Sequence, residues 1–199
     1  MGKTGVTLIT TVLNEQNSIH EFLKSYTQQS KKANEFIIVD GGSKDKTCEI
    51  IKQFVQSSGM PLKLVVKKGN RSYGRNTAIK LASNDIIACS DVGCVLDSHW
   101  IERITAPFSN KKIDVVSGFY YPRANSILEK CISVYTCVMP DRLSEDTYLP
   151  SSRSIAFRKS AWEGVGGYPE ELDTCEDLVF AKRLKRANYK FKLVKNAVV

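Results

Sequence analysis

Short apolar runs rich in β-branched residues alternate along this chain with stretches whose apolar residues recur at helical spacing. Val6-Thr-Leu-Ile-Thr-Thr-Val-Leu13 reads as a strand closed by Asn14-Glu15, and Ile19, Phe22, Leu23 and Tyr26 place a helix behind it. Phe36-Ile-Ile-Val-Asp40 is a buried strand stopping at a carboxylate. Gly41-Gly42 then make a tight turn, with Ser43 as the expected N-cap and Asp45 in the first turn of a helix carrying Ile50, Ile51, Phe54 and Val55. Leu62 to Val66 is a third strand. Gly69 to Asn76 reads as a loop entering a short helix with Ala78, Leu81 and Ala82, and Asp85 to Ser90 as a strand ending on Asp91. Val115 to Tyr121 is a fifth strand.

The second half is less regular. Residues 123–150 have weak periodicity, although Cys131 to Met139 is apolar enough to pack as a helix. Ser154 to Phe157 is a short strand, Gly164 to Pro169 a glycine-rich loop, Glu176 to Ala187 a helix with Leu178, Val179, Ala181 and Leu184 apolar, and Tyr189 to Val194 a final strand. Strand–helix alternation of this kind predicts an α/β fold with a mostly parallel central sheet and helices on both faces. The expected unit is one domain, 1–199, without an internal repeat or low-complexity linker.

Composition changes this picture little. Apolar residues are 42% and charged residues 25% of the 199, enough for an ordinary buried core. No apolar run is long enough to span a bilayer, and the N-terminus does not read as a signal peptide. Six cysteines without CxxC spacing point to a reduced, cytoplasmic setting rather than a disulfide framework.

The net charge of +8 raises three partners: anionic lipid headgroups, a diphosphate substrate and nucleic acid. The basic residues are scattered except for Lys182-Arg183-Leu-Lys185-Arg186 on a predicted helix, which also reads as a solvated face. No aromatic-interleaved basic motif accompanies it, so nucleic acid ranks last.

Three strands end on acids, at Glu15, Asp40 and Asp91, on what should be one edge of one sheet. Ligands of open α/β sheets sit beyond the carboxyl ends of the strands. Carboxylates there accept from base N–H groups or ribose hydroxyls, or hold a hard cation such as Mg²⁺ or Mn²⁺ with phosphates in its shell. Asp97 reads better as a cap. His20 and His99 have no partner at ligand spacing, which argues against a zinc site or a Ser-His-Asp triad. Glu176-Asp177 opens a helix, where acids complement the dipole, but a carboxylate there also suits a general base.

Taken together, Val12-Leu-Asn-Glu15, Asp40-Gly-Gly-Ser-Lys-Asp-Lys-Thr47, Gly74-Arg-Asn76, Asp91-Val-Gly93, and Phe157 to Pro169 followed by Glu176-Asp177 resemble family 2 inverting glycosyltransferases. The resemblance covers nearly the whole chain except 123–150. It implies a GT-A-type Rossmann-like sandwich, with about 1–97 binding the nucleotide sugar and about 98–199 serving acceptor and catalysis. By the same resemblance Asp40 contacts the base, Glu15 the ribose or base region, and Arg75 the nucleotide pocket. Asp91 binds a divalent cation, Mn²⁺ or Mg²⁺, on the diphosphate. Asp177 deprotonates the acceptor hydroxyl, with Glu176 beside it.

The implied acceptor is a glycan or lipid-linked saccharide at the cytoplasmic membrane face, and residues 123–150 are the acceptor-facing insertion. The second acid of the family's Asp-x-Asp signature is Gly93 here. Relatives often continue past a strand such as the one before Val199, so a C-terminal part is expected to be missing. Two rivals stand beside this reading: a non-catalytic sugar-nucleotide or glycan-binding module, and a sugar-phosphate nucleotidyltransferase. The second is disfavoured because Asn14-Glu-Gln-Asn17 is not a Gly-rich, Arg-containing loop.

Overall fold

A computed structural model describes residues 5–124, 126–137 and 143–199. Seven strands form one sheet in the order β3-β2-β1-β4-β6-β5-β7. They are β1 Val6–Val12, β2 Glu35–Asp40, β3 Leu62–Val66, β4 Ile86–Cys89, β5 Val115–Phe119, β6 Ile155–Arg158 and β7 Phe191–Val198. All neighbours pair parallel except at β6, which runs antiparallel to both β4 and β5. The chain steps outward from β1 to β2 to β3, then returns to lay β4 on the other side of β1. That reversal between β1 and β4 is the switch point at which such sheets open a ligand crevice.

Side-chain alternation sends the two faces of each central strand into separate cores. Leu8, Phe36, Ile38 and Ala88 pack under helices α1 (Ile19–Thr27), α2 (Thr47–Ser58) and α4 (Trp100–Thr105). Ile9, Ile37, Val39, Ile87 and Cys89 pack under α3 (Arg71–Leu81), α6 (Lys159–Gly164) and α7 (Glu176–Arg186). Central strands buried on both faces explain their near-continuous apolar sequence.

Several local expectations are corrected. Ser43 does not cap α2. The cap position is Lys46, and Asp45 Oδ1 accepts from the backbone N–H of Thr47 at 2.9 Å. Residues 71–76 are helix rather than loop, because Asn70 Oδ1 accepts from Tyr73 N–H at 3.0 Å and starts α3 there. Leu81 is exposed at the end of that helix. The short helix α6 was not expected. Phe180, not Leu178, fills the core beneath α7, and β7 runs on to Val198.

The expected helix in 131–139 is α5, Ile127–Thr136, started by a Ser126/Glu129 capping box. It does not pack as expected. Ile127, Leu128, Val134 and Tyr135 are 82%, 69%, 57% and 91% exposed. The last residues of that expectation, 138 and 139, lie outside the described residues.

Candidate active site

The loops after β1 and β2 are locked together by side chains two residues apart. Ser43 Oγ accepts from Asn14 N–H at 2.8 Å, Asp45 Oδ2 from Gln16 N–H at 3.1 Å, and Thr47 Oγ1 from Glu15 N–H at 2.7 Å. Asn14 Oδ1 and Gln16 Oε1 return the contact, accepting from Lys44 and Lys46 N–H. Asn14 itself sits at φ +57°, a conformation asparagine tolerates. The Ser-x-Asp-x-Thr spacing thus satisfies backbone donors of the neighbouring loop and fixes where Glu15 stands. Asp45 is held below its ordinary range. Burial pulls it up, but hydrogen bonds from the Thr47 side chain and from Thr47 and Gln16 N–H groups outweigh that.

Asp40 lies under the turn that follows β2. Its Oδ1 accepts from Gly42 and Ser43 N–H, both at 2.8 Å, and Gly42 takes φ +103°, which favours glycine. Asp40 is fully enclosed, and its Oδ2 has no hydrogen-bond partner among the described residues. The Cys48 thiol is near enough to be pushed up, by burial first and by Asp40 second.

Arg75, on α3, is the centre of the second cluster. It is 1% exposed. One guanidinium nitrogen donates to Glu176 Oε1 at 2.6 Å and another to Asp91 Oδ1 at 2.7 Å, while the plane lies 5.3 Å from the Tyr168 ring centroid. Burial alone would lower its proton affinity. The Asp91 carboxylate beside it prevails and holds it well above the ordinary value. Arg71, one helical turn earlier, places a nitrogen 3.6 Å from the same Glu176 oxygen. A buried cation thereby joins acids from the end of β4 and the start of α7, which are far apart in sequence.

The loop before α7 is tied to α3 by amides. Asn76 Oδ1 accepts from Trp162 Nε1 and from Tyr168 N–H, both at 2.9 Å, and its Nδ2 donates to Tyr168 O and Glu170 Oε1. Gly167 is at φ +76°, and a Cβ there would sit 2.9 Å from Asn76 Oδ1 and 3.0 Å from Trp162 Nε1. The glycine is required twice over. Asn70 Nδ2 adds a bond to Glu170 O at 2.7 Å.

Asp177 is partly exposed. Its Oδ1 accepts from Leu178 N–H at 2.7 Å, and its Oδ2 lies 3.4 Å from Ser152 N. The Ser152 hydroxyl is 3.0 Å from Tyr168 OH.

Two cavities flank these clusters. One of about 300 Å³ opens beyond β1 and β2 and is lined by Glu15, Gly41, Gly69, Arg71 and Gly74 among others. The other, of about 600 Å³, is bounded by the 93–97 segment, the end of β5 and Arg153.

The structure therefore brings Arg75, Asp91 and Glu176 together, with Asp177 adjacent in the chain, and sets Glu15 in the smaller cavity. Asp40 stays beneath the turn whose Gly41 lines that cavity. Asp97 does not cap α4, whose cap position is His99 without a side-chain cap bond; it accepts from His99 N–H at 3.0 Å in the turn before the helix and pairs with Arg103 at 2.8 Å. Arg71, Tyr168 and Ser152 escaped the sequence reading. Only the helical spacing of Arg71 to Arg75 could have flagged the first.

No three His, Cys, Asp or Glu side chains among the described residues come close enough to hold a metal. Gly93 sits at φ +96°, and Asp91 already gives Oδ1 to Arg75. The remaining oxygen of a partly exposed carboxylate fits a hard cation that brings its other ligands as phosphate and water, and fits an all-protein cage poorly.

An open, mostly parallel sheet of this order with helices on both faces has the GT-A fold. The structure matches the mannosyltransferase PcManGT from Pyrobaculum calidifontis, solved in complex with GDP-Man and Mn²⁺, at TM-score 0.81 and 20% identity over 99% of this chain and 56% of that one. It matches Staphylococcus aureus TarS 1-349 in complex with UDP-GlcNAc at TM-score 0.74 and 19% identity, over 96% of this chain and 56% of that one.

The glycosyl transferase family 2 model matches residues 7–130, and the chain belongs to that family. It is 30% identical over 190 residues to glycosyltransferase AglE of Haloferax volcanii, covering 92% of this chain and 62% of that protein. It is 28% identical over 199 residues to the poly-beta-1,6-N-acetyl-D-glucosamine synthase of Staphylococcus epidermidis, covering 94% and 47%. The chain spans about half to two thirds of the length of these curated relatives.

Proposed function

We propose that this chain transfers a sugar from a nucleoside-diphosphate donor to an acceptor hydroxyl, with inversion, in the assembly of a surface polysaccharide or glycolipid. The observation that carries this reading is the Arg75 bridge. It sets Asp91, and the helix start that bears Asp177, around one point at the switch edge of the sheet, beside the cavity that holds Glu15.

In this scheme the smaller cavity takes the nucleoside. Glu15 receives ribose or base donors, Gly41 and Gly74 let the ligand approach the backbone, and Asp40 offers Oδ2 to a base N–H that the Gly41-Gly42 turn must admit. Arg75 lines the phosphate end and keeps Asp91 oriented. Asp91 would hold a divalent cation, Mn²⁺ or Mg²⁺, which when bound neutralises charge developing on the leaving diphosphate. Asp177 takes the proton of the acceptor hydroxyl as its oxygen attacks the anomeric carbon and the bond to the diphosphate breaks. Glu176, paired to Arg75, keeps the start of α7 in place. Residues of about 1–97 thus serve the donor and those of about 98–199 the acceptor.

The names of the relatives, which include a poly-N-acetylglucosamine synthase and O-antigen rhamnosyltransferases, support a glycan or lipid-linked acceptor. The net positive charge supports peripheral attachment at the cytoplasmic membrane face. No helix among the described residues is long and apolar enough to cross a membrane.

The test is donor hydrolysis and transfer across a panel of nucleotide sugars, with and without Mn²⁺, in the wild type and Asp177→Asn. Turnover should fall by about a hundredfold or more in the variant. Undiminished turnover would remove Asp177 as the base. Donor binding without turnover in the wild type, across acceptors, would instead favour a binding module.

A further inference from the structure

Tyr168 lies where α3 meets the start of α7, and the chemistry proposed above makes no use of its hydroxyl. Asn76 of α3 holds both its backbone N–H and its carbonyl, each at 2.9 Å. Its ring stacks on Phe180 of α7 with centroids 4.1 Å apart, and the Arg75 guanidinium lies 5.3 Å from the same ring. Backbone and ring are therefore fixed from two helices without the hydroxyl. A phenylalanine would keep all of these contacts. A buried tyrosine oxygen needs a polar partner of its own, and that partner shows what the oxygen is for.

The partner is Ser152 Oγ at 3.0 Å, and both residues are 1% exposed. Burial first, and the Cys89 thiol after it, push the Tyr168 hydroxyl well above its ordinary range against the opposing pull of Arg75 and Ser152, so it keeps its proton. Ser152 in turn presents its backbone N–H 3.4 Å from Asp177 Oδ2. The other carboxylate oxygen accepts from Leu178 N–H at 2.7 Å, a bond inside Asp177's own helical turn. The Ser152 contact is the longer of the two and depends on where the segment before β6 stands. Toward β6 that segment is tied at Ser154, whose Oγ accepts from Trp100 Nε1 at 2.8 Å and donates to Ala197 O at 3.1 Å. Toward Asp177 it is tied by the bond between Ser152 and Tyr168.

We infer that the Tyr168 hydroxyl is a positioning group for the proposed base: through Ser152 it holds in place the backbone donor that orients the Asp177 carboxylate. One tyrosine then serves both sides of the site, the base through its hydroxyl and the Arg75–Asp91 pair through its ring. The inference rests on the transferase reading and adds to it a residue that acts only through its neighbour. A base displaced by a fraction of an ångström loses rate rather than substrate, because attack requires a near-contact geometry.

The test is steady-state hydrolysis of a panel of UDP-, GDP- and dTDP-linked sugars by the full chain with Mn²⁺, water standing in for the acceptor hydroxyl. The variants are Tyr168→Phe, Ser152→Ala, the two together, and each of them combined with Asp177→Asn. In either single variant kcat should fall about three- to tenfold, the worth of one hydrogen bond, with donor KM unchanged. The two together should fall no further, because both changes break the same bond. In the Asp177→Asn background neither change should lower kcat again. A tyrosine that merely packs α7 gives another pattern: kcat unchanged in Tyr168→Phe, or a loss by the same factor with and without Asp177. Either result overturns the inference alone, provided Asp177→Asn itself loses turnover. No hydrolysis by the wild type, or none lost in Asp177→Asn, overturns the transferase reading and the positioning role with it.

Discussion

At the β1–β2 edge, the side chains of Ser43, Asp45 and Thr47 each satisfy a backbone donor of the neighbouring loop, and Asn14 and Gln16 answer them. Around the larger cavity, α5 begins with a sound capping box and then leaves five large apolar residues exposed. The first region is fixed by bonds between loops; the second has local helix signals and little packing against the described residues. A pocket made of backbone and short polar side chains is pre-organised before any ligand arrives. A region built the other way can be altered without disturbing that pocket.

The contrast predicts where substitutions cost most. Arg75→Ala removes the buried cation between Asp91 and Glu176 and, among the described residues, leaves the nearly enclosed Glu176 carboxylate with only the longer ion pair to Arg71. Breaking a buried pair by deleting one partner costs about 3–5 kcal/mol. For a chain of this size that is a fall of about 6–20 °C in Tm. Melting Arg75→Ala against Arg75→Ala/Glu176→Leu separates the causes: the double variant should recover part of the loss. If Arg75→Ala melts like the wild type, α3 is not pinned through this bridge.

Gly74→Ala comes next. The family's usual Ala-Arg-Asn segment is Gly-Arg-Asn here, and a Cβ on residue 74 would meet Thr11 Cγ2 at 2.7 Å. Thr11 is on β1, so the methyl would push α3 off the strand. Overpacking of this kind costs about 1–3 kcal/mol. Thr11→Ser deletes the offending methyl and should restore most of the stability of Gly74→Ala. Additive losses in the double variant would sink the steric account.

Gly93 tests the larger cavity in a different way. A Cβ there meets nothing within 4 Å, so the cost of a side chain comes from φ +96° alone. Gly93→Ala and Gly93→Asp should each lose about 1–3 kcal/mol and by similar amounts. A much smaller loss for Asp would show that the backbone is not what keeps the signature's second acid out.

How legible all this was in the sequence follows from the same contrast. Strands β1 to β4, their helices and the acids at their ends could be read because burial on both faces writes long apolar runs and turns write glycines. Arg71–Asn76 looked like a loop because its polar residues hide a helix whose buried face carries Gly74, Arg75 and Asn76 rather than aliphatic side chains. Ser43 looked like a cap because its type and position fit, whereas its hydroxyl serves the loop after β1. The Arg75 bridge and the Asn76 clamp join residues about 90 to 100 apart in sequence, and no local pattern encodes such pairs.

The smallest effect is expected on α5, and it bears on the comparison most directly. Leu128 and Tyr135 are 69% and 91% exposed, so replacing them with serine removes little apolar area from any core. Leu128→Ser and Tyr135→Ser should each shift stability by less than about 0.5 kcal/mol, the usual range for surface changes. Ile38→Ala in β2, fully buried between β1 and β3, should cost about 2–5 kcal/mol. Measured by urea unfolding with unchanged m values, the two outcomes separate a packed central sheet from a helix that packs little against the described residues. A loss above about 1 kcal/mol in Leu128→Ser would mean that α5 is covered by protein in solution, and the contrast between the two regions would then fail.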